Sequence, residues 1–340
     1  MFQKSLAQKS DMRILYLVQS APEWTGSGAA QRTYRLWRKL QTMGEVQVVC
    51  WDQLADKSIF AAVFRRLFRP AEWPWRLWRR TRPWNGTFDL VVTRYLNTAV
   101  RARAWEIAPC KVDVDDLPSM ASRSVWSRSW PFGTRWIPRL VVRMWERYAL
   151  RRLRGAWVAN PADLAVVSRF CPCEVFANEA LPPKSGYRAT GRQKKKLLTV
   201  GGLDYPPNPE GVGWFIRKVW PQVRSRVPDV TYVVAGGGQI GDGKLVATPG
   251  VEFTGFVEDI DALYEEAKAV VVPVLSGAGT SIKVLEALSR ERTVFATAFA
   301  TRGLSAADMG RVVVCTSADE MARKLCDWLK ANEGEDGGGV

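Results

Sequence analysis

Histidine is absent from the 340-residue sequence. Imidazole is a frequent general base near neutral pH and a frequent metal ligand, so its absence excludes histidine-dependent hydrolases and histidine-ligated metal sites. The six cysteines show no CxxC spacing and fall short of the density of a secreted disulfide scaffold. We therefore expect a reducing compartment and no bound metal.

Long apolar runs are also missing. No stretch of about 18 uncharged apolar residues occurs, and residues 1–18 carry charges without the apolar core of a signal peptide. The sequence therefore predicts a cytoplasmic protein that is neither exported nor membrane-spanning, with peripheral contact to the inner face of the cell membrane as a further expectation.

Charge is distributed unevenly along the chain. There are 49 Lys and Arg against 34 Asp and Glu, a net charge of +15, and 47% of the residues are hydrophobic. Residues 1–193 hold 32 basic and 15 acidic residues, or +17, whereas residues 194–340 hold 17 and 19, or −2. A chain of this length can bury one large core or two ordinary ones, and the charge difference indicates two halves with different surroundings.

A segment rich in Pro, Gly and Lys, PPKSGYRATGRQKKK, lacks apolar periodicity between residues 182 and 196. This composition is typical of a linker between two compact bodies. We predict an N-terminal domain over residues 1–185, a linker over 186–196, a C-terminal domain over 197–330 and a disordered tail over 331–340.

Both halves alternate short apolar strands with helical stretches. Val-rich strands bracketed by helices indicate a parallel sheet covered on both faces, so the predicted fold class is α/β, with two Rossmann-like doubly wound domains facing across a cleft. The predicted strands are residues 13–20, 46–50, 89–94, 111–115, 155–159, 196–202, 230–238, 251–257, 269–274, 292–297 and 311–315, and the predicted helices are 29–44, 209–226, 259–268, 281–290 and 318–331.

A strand, a glycine loop and a helix follow one another in VVVPVLSGAGTSIKVLEALSRERTVFAT, residues 270–297. The strand ends at Pro273. Backbone N–H groups and the positive end of the helix dipole suit an anion, and glycines let a diphosphate approach closely. The predicted phosphate loop consists of Gly277, Gly279, Thr280 and Ser281.

The helix after this loop carries Lys283 and Glu286 one turn apart, off an apolar stripe of Ile282, Leu285 and Leu288. Lysine suits a phosphate, and a carboxylate can accept two hydroxyl hydrogen bonds from a vicinal diol. The alternative is an ordinary strand–helix turn followed by an exposed i, i+3 ion pair.

Several segments follow the order and spacing of a known family. LLTVGGLDYPPNPEGVGWF, VVAGGGQ, VEFTGFVEDIDALYEEAKAVVVPV and GAGTSIKVLEALSRERTVFAT cover nearly all of residues 195–305. They resemble bacterial family-four glycosyltransferases of the two-Rossmann (GT-B) fold, in the polysaccharide or exosortase-associated sugar transferase branch with the motif PLRxGxGTRIKVLEAMA. The likeness is thinner in MRILYLVQSAPE, GAAQRTYRLWRKL, VDVDDLPS and WERYALRRLRGAWVANPADLAVVS.

The resemblance implies a retaining transferase that uses a nucleotide-diphosphate sugar as co-substrate, with no separate cofactor. The second domain would hold the donor nucleotide and the first domain the acceptor. By the same resemblance the diphosphate would lie near Gly201 and Gly202, the base near Gly255, Phe256 and Val257, the ribose hydroxyls on Glu286, and the phosphates on Gly279, Thr280, Ser281 and Lys283.

Two positions depart from the family pattern. The family often has a glutamate before the glycine loop that contacts the transferred sugar, and here Ser276 stands at the corresponding position. Many members also carry a basic residue shortly after the first donor-domain strand, where Asn208 is neutral. Lys283 is then nearly alone opposite the diphosphate, unless an arginine comes from the first domain.

The first domain contains a second glycine loop, formed by Gly26, Ser27 and Gly28 before a helix. Its N–H groups could face the same crevice, and Arg32, one turn into the helix, could reach a phosphate. The alternative is a plain turn that leaves Arg32 on the solvated face.

Acidic residues end a strand at the carboxyl edge of the first sheet, in the sequence DVDD. Alternation sends Asp113 and Asp115 to one face, so Asp116 is predicted to point into the cleft. Asp116 and Asp115 are candidates for acceptor binding or general-base catalysis, with Lys283 stabilising charge on the diphosphate. A front-face retaining mechanism needs no dedicated base, because the departing diphosphate oxygen takes the acceptor proton. The alternative for this segment is a helix N-cap.

Arginines interleave with aromatic residues in two stretches, residues 59–84 and 123–154. This composition suits an anionic membrane surface, where a lipid-linked or saccharide acceptor would be found. The alternatives are a plain solvated surface and a nucleic-acid surface; the latter is not expected because no nucleic-acid module accompanies the arginines.

The sequence therefore predicts a glycosyltransferase that moves a sugar from a nucleotide-diphosphate sugar to a lipid-linked or polysaccharide acceptor with retention, in cell-envelope assembly. The alternative is a catalytically degenerate binding or scaffold protein of the same fold at the membrane surface. A third hypothesis is a nucleotide-sugar epimerase.

Overall fold

The chain forms two compact units, residues 1–177 and 178–340, each built around one six-stranded sheet. The computed structural model describes residues 12–19, 21–22, 28–50, 84–115, 117, 136–180, 182–188, 195–238, 240, 243–276 and 281–332.

The segment before the predicted linker packs on the second unit. The backbone N–H of Lys184 donates to Asp261 Oδ2 at 2.7 Å, and that of Arg188 donates to Glu265 Oε1 at 3.1 Å. The units divide after Ala177, eight residues before the predicted end of the first domain. The described part of the predicted linker is thus attached to the second unit by hydrogen bonds.

The first sheet is parallel and has the strand order β2-β1-β3-β4-β5-β6. The described elements are β1 (Met12–Val18), α1 (Gly28–Gln41), β2 (Gly44–Cys50), β3 (Leu90–Arg94), α2 (Leu96–Ala102), β4 (Cys110–Val114), α3 (Trp136–Leu150), β5 (Gly155–Val158), α4 (Pro161–Val167) and β6 (Cys173–Val175).

Strand β1 is apolar at successive positions because both of its faces are buried. Ile14, Tyr16 and Val18 pack into one buried cluster and Leu15 and Leu17 into another. Alternate residues thus enter cores on opposite faces of the sheet, as expected for a parallel sheet covered by helices on both sides.

The second sheet is also parallel, in the order β12-β11-β10-β7-β8-β9. One long helix here is α5 (Pro207–Trp214), which continues through a π-helical turn into α6 (Trp220–Arg226). The other described elements are β7 (Lys196–Val200), β8 (Thr231–Ala235), α7 (Gly243–Val246), β9 (Val251–Gly255), α8 (Ile260–Glu266), β10 (Ala269–Val272), α9 (Ile282–Ser289), β11 (Thr293–Thr297), α10 (Ala306–Met309), β12 (Val312–Cys315) and α11 (Ala318–Ala331).

The structure confirms the predicted α/β class with two doubly wound sheets. All eleven predicted strands are present, with ends that differ from the prediction by three residues or fewer. The sequence reading missed β6, a three-residue edge strand, and the four-residue helices α7 and α10, which are too short to show periodicity. It also assigned no helix at α2, α3 and α4 of the first unit. No described helix is long and apolar enough to cross a lipid bilayer.

Each sheet has a point where the strand order reverses. In the second sheet β7 lies between β8 and β10, and in the first sheet β1 lies between β2 and β3. In open α/β sheets ligands bind outside the carboxyl ends of the strands at such a point. We therefore expect a ligand site of each unit at the carboxyl edge of its sheet, beside the strand reversal.

Candidate functional site

Glycine turns form the carboxyl edge of β7 and β8. Gly201 N donates to Ala235 O at 2.8 Å, and Leu203 N donates to Gly237 O at 2.6 Å. A Cβ on Gly236 would overlap the carbonyl of Gly201, so the two turns pack backbone against backbone. The predicted diphosphate residues Gly201 and Gly202 therefore lie where side chains are missing and a ligand can approach the backbone.

The side chain of Lys283 reaches this turn from α9. A Cβ on Gly201 would overlap Lys283 Cε and would lie 3.1 Å from Asn208 Nδ2. Burial lowers the pKa of Lys283 because the charged form loses solvation, and the nearby Glu286 opposes this effect. No described residue accepts a hydrogen bond from the Lys283 ammonium. Lys283 is partly exposed, and the end of its side chain lies beside the glycine turn without a hydrogen-bond acceptor among the described residues.

Two buried oxygen atoms, Asn208 Oδ1 and Ser281 Oγ, have no hydrogen-bond partner in the part of the chain that the structure describes. The Asn208 amide is fixed by its Nδ2, which donates to Gly202 O at 2.6 Å. Ser281 precedes the first residue of α9 but makes no side-chain cap to the helix. Buried polar atoms are almost always satisfied, so an unsatisfied pair next to a lysine and a helix N-terminus indicates a place for a polar, anionic ligand.

Glu286 is buried, with only 7% of its surface exposed, on the same helix as Lys283. The buried face of α9 consists of Val284, Ala287 and Leu288 together with Glu286. The predicted apolar stripe was therefore wrong at Ile282 and Leu285, which are partly exposed. The alternative of an exposed i, i+3 ion pair is excluded as well, because Glu286 is not at the surface.

Ser276, which stands where the resemblance expects a glutamate, is paired with a carboxylate from another element. Its Oγ donates to Glu210 Oε2 at 2.9 Å. Glu210 lies in the first turn of α5, directly after the β7 turn, and Ser276 follows β10. The carboxylate of Glu210 thus lies beside Ser276, the position where the resemblance expects a glutamate.

Phe256 is the most exposed large apolar side chain in the described part of the chain, at 79%. It follows Gly255, whose φ of +69° lies in the left-handed region that favours glycine. Val257, the third predicted base-contacting residue, is partly buried. An unpacked aromatic ring after a strand at this edge offers a flat apolar face to a nucleotide base.

Some predicted site residues lie outside the part of the chain that the structure describes. Gly28 is described and begins α1. The basic stretch 59–84 is described only at Trp84, and the stretch 123–154 only from residue 136. The predicted residues outside the described ranges are Gly26, Asp116, Gly277, Gly279 and Thr280.

A buried charge network occupies the carboxyl edge of the first sheet. Arg32 Nε and Nη2 donate to Asp113 at 2.9 and 2.6 Å, and Arg94 contacts the same carboxylate through Nη1. Arg94 Nη2 also donates to Asp115 Oδ2 at 3.0 Å. Burial raises the pKa of Asp113, but the two guanidinium groups outweigh it and hold that pKa below the ordinary value.

This network assigns Arg32 a place that the sequence reading did not foresee. Arg32 is neither on a solvated face nor open to a phosphate: it is 1% exposed, and its Nη1 donates to Phe176 O at 2.6 Å. Asp115 is 16% exposed, so its carboxylate is both held by Arg94 and accessible at its edge.

Sequence reasoning missed Arg94 and Glu210 and dismissed Asn208 as merely neutral. Arg94 carries a signal that could have found it, because it is a charged residue that directly ends a buried strand. Glu210 and Asn208 carry no comparable signal, since their role depends on contacts with residues 66 and 6 positions away. Among the described residues no three His, Cys, Asp or Glu side chains group as metal ligands do.

Residues 194–331 match the protein family described as glycosyl transferases group 1. This range contains the whole polar cluster around Lys283. The match covers most of the second unit. The match confirms the resemblance inferred from the sequence, and we refer to this unit below as the group 1 domain.

A 44.6 kDa protein from the cps region of Klebsiella pneumoniae is 26% identical over 149 residues, which are 39% of this chain and 37% of that protein. The chain therefore matches little more than a third of the length of this curated relative.

Solved structures share the fold at low identity. HepE from Anabaena, in complex with UDP, has a TM-score of 0.58 at 14% identity and covers 95% of this chain and 91% of its own. MnaA from S. aureus, also solved with UDP, has a TM-score of 0.52 at 13% identity and covers 95% and 89%. TarM from S. aureus has a TM-score of 0.53 at 12% identity and covers 71% and 48%. These likenesses show the GT-B fold.

Proposed function

We propose that the protein transfers a sugar from a nucleotide-diphosphate sugar to a lipid-linked or saccharide acceptor, with retention of configuration. The observation that carries the proposal is the polar cluster of the group 1 domain. The partly exposed Lys283 and the buried atoms Ser281 Oγ and Asn208 Oδ1 belong to this cluster at the strand reversal of the sheet, and neither oxygen has a hydrogen-bond partner among the described residues. UDP is the first donor nucleotide to test, because it is present in the complexes of HepE, MnaA and TarM.

The proposed ligand uses each part of the cluster. The diphosphate lies at the N-terminus of α9, where Lys283 and Ser281 donate to its oxygens, and the glycine turn after β7 leaves room for it. Glu286 accepts from the ribose hydroxyls, and the ring of Phe256 contacts the base. Asn208 Oδ1 is an acceptor, so its partner is a hydroxyl group rather than a phosphate oxygen.

The proposed reaction follows from this placement. The bond between the anomeric carbon and the diphosphate oxygen breaks, the acceptor oxygen forms its bond to that carbon on the same face, and the acceptor proton passes to the departing oxygen. Lys283 stabilises the negative charge that develops on the diphosphate, which is where preorganised charge contributes most. The reaction requires no histidine and no resident metal.

The proposed acceptor rests on a relative and on one carboxylate of the first unit. A relative from a cps region favours an envelope polysaccharide or its lipid-linked precursor. In the first unit Asp115, held by Arg94 and partly exposed, remains the described candidate for contact with an acceptor hydroxyl. The proposed location is the cytoplasmic side of the membrane, as inferred from the sequence.

Binding of the donor can be tested directly. We expect UDP or another nucleoside diphosphate to raise the melting temperature of the full chain, since a ligand that binds only folded protein stabilises it in proportion to saturation. Lys283→Gln should remove most of this shift. The matched control is Lys218→Gln, which changes an exposed lysine of the same unit. Equal shifts in both variants would contradict the assignment of Lys283.

Catalysis needs a separate assay, because one observation favours a binding protein. Ser276 stands where the resemblance expects a glutamate that contacts the sugar. If Glu210, bonded to Ser276, supplies that carboxylate, saccharide-dependent release of nucleoside diphosphate should be measurable in the wild type and should fall in Glu210→Gln without a change in nucleotide affinity. Tight nucleotide binding with no release in the presence of any envelope acceptor would instead identify a catalytically degenerate binding protein.

A further inference from the structure

Helix α3 (Trp136–Leu150) of the first unit presents an unusual outer face. Leu140, Met144 and Tyr148 are 51%, 61% and 51% exposed. Their i, i+4, i+8 spacing places them in one row along the helix. The opposite side is the packed one, with Ala149 and Leu150 in the core. An apolar row on the exposed side of a helix is unfavourably hydrated, and such a patch indicates a surface that binds another molecule.

Arginines flank this row. Arg143 and Arg147 are exposed, repeat with the same four-residue spacing and form no ion pair or side-chain hydrogen bond with any described residue. The single acidic residue of α3 in the sequence is Glu146, and it is buried at 5% exposure. The outer face of α3 is therefore both apolar and cationic, with no carboxylate to neutralise it.

We propose that this face of α3, formed by Leu140, Arg143, Met144, Arg147 and Tyr148, binds the surface of an anionic lipid bilayer. Apolar side chains of an interfacial helix enter the boundary between headgroups and acyl chains, while arginines extend to the lipid phosphates. The tyrosine ring suits the interface because one end is apolar and the other is polar. Charge complementarity selects anionic over neutral lipid.

Other occupants fit this face less well. A second copy related by a twofold axis would bring Arg143 and Arg147 against the same two cations, and like charges destabilise such contacts. A nucleic acid would meet the arginines but would leave Leu140 and Met144 against a polar backbone. The bilayer is the occupant that uses both the apolar row and the cations. The proposal goes beyond sugar transfer and does not rest on it.

Vesicle flotation tests the proposal on the full chain without an activity readout. Wild-type protein should float with phosphatidylcholine vesicles that contain phosphatidylglycerol and not with phosphatidylcholine alone, and 0.5 M salt should weaken binding through screening. Arg143→Gln/Arg147→Gln should reduce the partition coefficient about 25-fold, at about fivefold for each arginine near the surface. Leu140→Ser/Met144→Ser should reduce it about tenfold while all charge is kept.

Matched controls separate this face from total charge and total apolar surface. Arg169→Gln/Lys218→Gln removes the same charge at exposed positions outside α3, and Val246→Ser/Met309→Ser removes comparable exposed apolar side chains from the other unit. Both controls should partition as the wild type does. All four variants change exposed side chains, so their melting temperatures should match that of the wild type and report intact folding.

Three results would overturn the proposal. The first is equal binding to neutral and anionic vesicles. The second is equal loss in the α3 variants and in their controls, which would mean non-specific charge attraction. The third is concentration-dependent dimerisation of the wild type that Leu140→Ser/Met144→Ser abolishes, because the face would then bind a second copy of the chain.

Discussion

Three of the glycines at the carboxyl edge of β7 and β8, Gly201, Gly202 and Gly236, should respond very differently to the same added methyl group. On Gly202 a Cβ would meet nothing closer than 3.9 Å, which is ordinary contact. On Gly201 it would overlap the flexible end of Lys283, and on Gly236 it would overlap the rigid carbonyl of Gly201. Alanine at the three positions therefore separates tolerance, loss of binding and loss of folding.

The magnitudes follow from what each Cβ meets. Gly202→Ala should change the free energy of unfolding by less than about 1 kcal/mol. Gly201→Ala should cost about 1–3 kcal/mol of folding, because its φ of +158° disfavours any residue with a Cβ, and it displaces the end of the Lys283 side chain from the glycine turn. Losing one charge-assisted hydrogen bond to phosphate, about 1.5–3 kcal/mol, would weaken nucleoside diphosphate binding about 10- to 150-fold. Gly236→Ala should cost about 3 kcal/mol or more, since the backbone cannot yield easily.

Two measurements on the same variants test this series: urea unfolding for the free energy of folding and isothermal titration with UDP for the affinity. The result that refutes the reasoning is UDP affinity in Gly201→Ala equal to that of the wild type, because Lys283 would then not contact the ligand from its observed position.

Three further predictions concern single side chains. Asp113→Asn leaves buried Arg32 and Arg94 with the partly exposed Asp115 as their remaining counter-charge, and it should lower the free energy of unfolding by about 3 kcal/mol at pH 7. Because the folded-state pKa of Asp113 is lowered, the difference in urea unfolding should persist down to the ordinary value of 3.8 and shrink only below it. Because the pKa of Lys283 is lowered below its ordinary value of 10.5, the UDP affinity of the wild type relative to Lys283→Gln should decline with rising pH before that value is reached, and a constant ratio would contradict this. Phe256→Ala should leave the melting temperature unchanged, because the ring is exposed, but should weaken UDP about 5- to 150-fold and inorganic pyrophosphate not at all, as calorimetry can show.

The strands were predictable because their signal is local. A buried parallel strand such as β10 reads as an unbroken run of Val, and glycine follows wherever the chain must turn at the carboxyl edge. The same glycines made several predicted strands too long, since an apolar residue beside a glycine, as at Val257, looks like part of the strand. The edge strand β6 escaped because three residues carry too little pattern.

Site residues were predictable in proportion to how local their role is. Lys283 and Ser281 could be named because a glycine loop before a helix already implies an anion. Arg32 was placed at a phosphate because the sequence shows its position on α1 but not the carboxylate that binds it, which comes from a strand 81 residues away. Glu286 was predicted on a face of α9 away from the apolar stripe, with an exposed ion pair as the alternative, and only the packing of α9 shows that it is buried.

The amino-acid order by itself determined the two parallel sheets, the glycine turns after β7 and β8 and the exclusion of histidine chemistry, because each of these depends on the residue types present or on residues close together in the chain. Tertiary packing alone decided which charges are neutralised and which are left available. It joined Arg32 and Arg94 to Asp113, brought Glu210 to Ser276 and left Lys283 beside unsatisfied oxygens, because the partner of a buried charge is whatever group the fold brings within hydrogen-bonding distance.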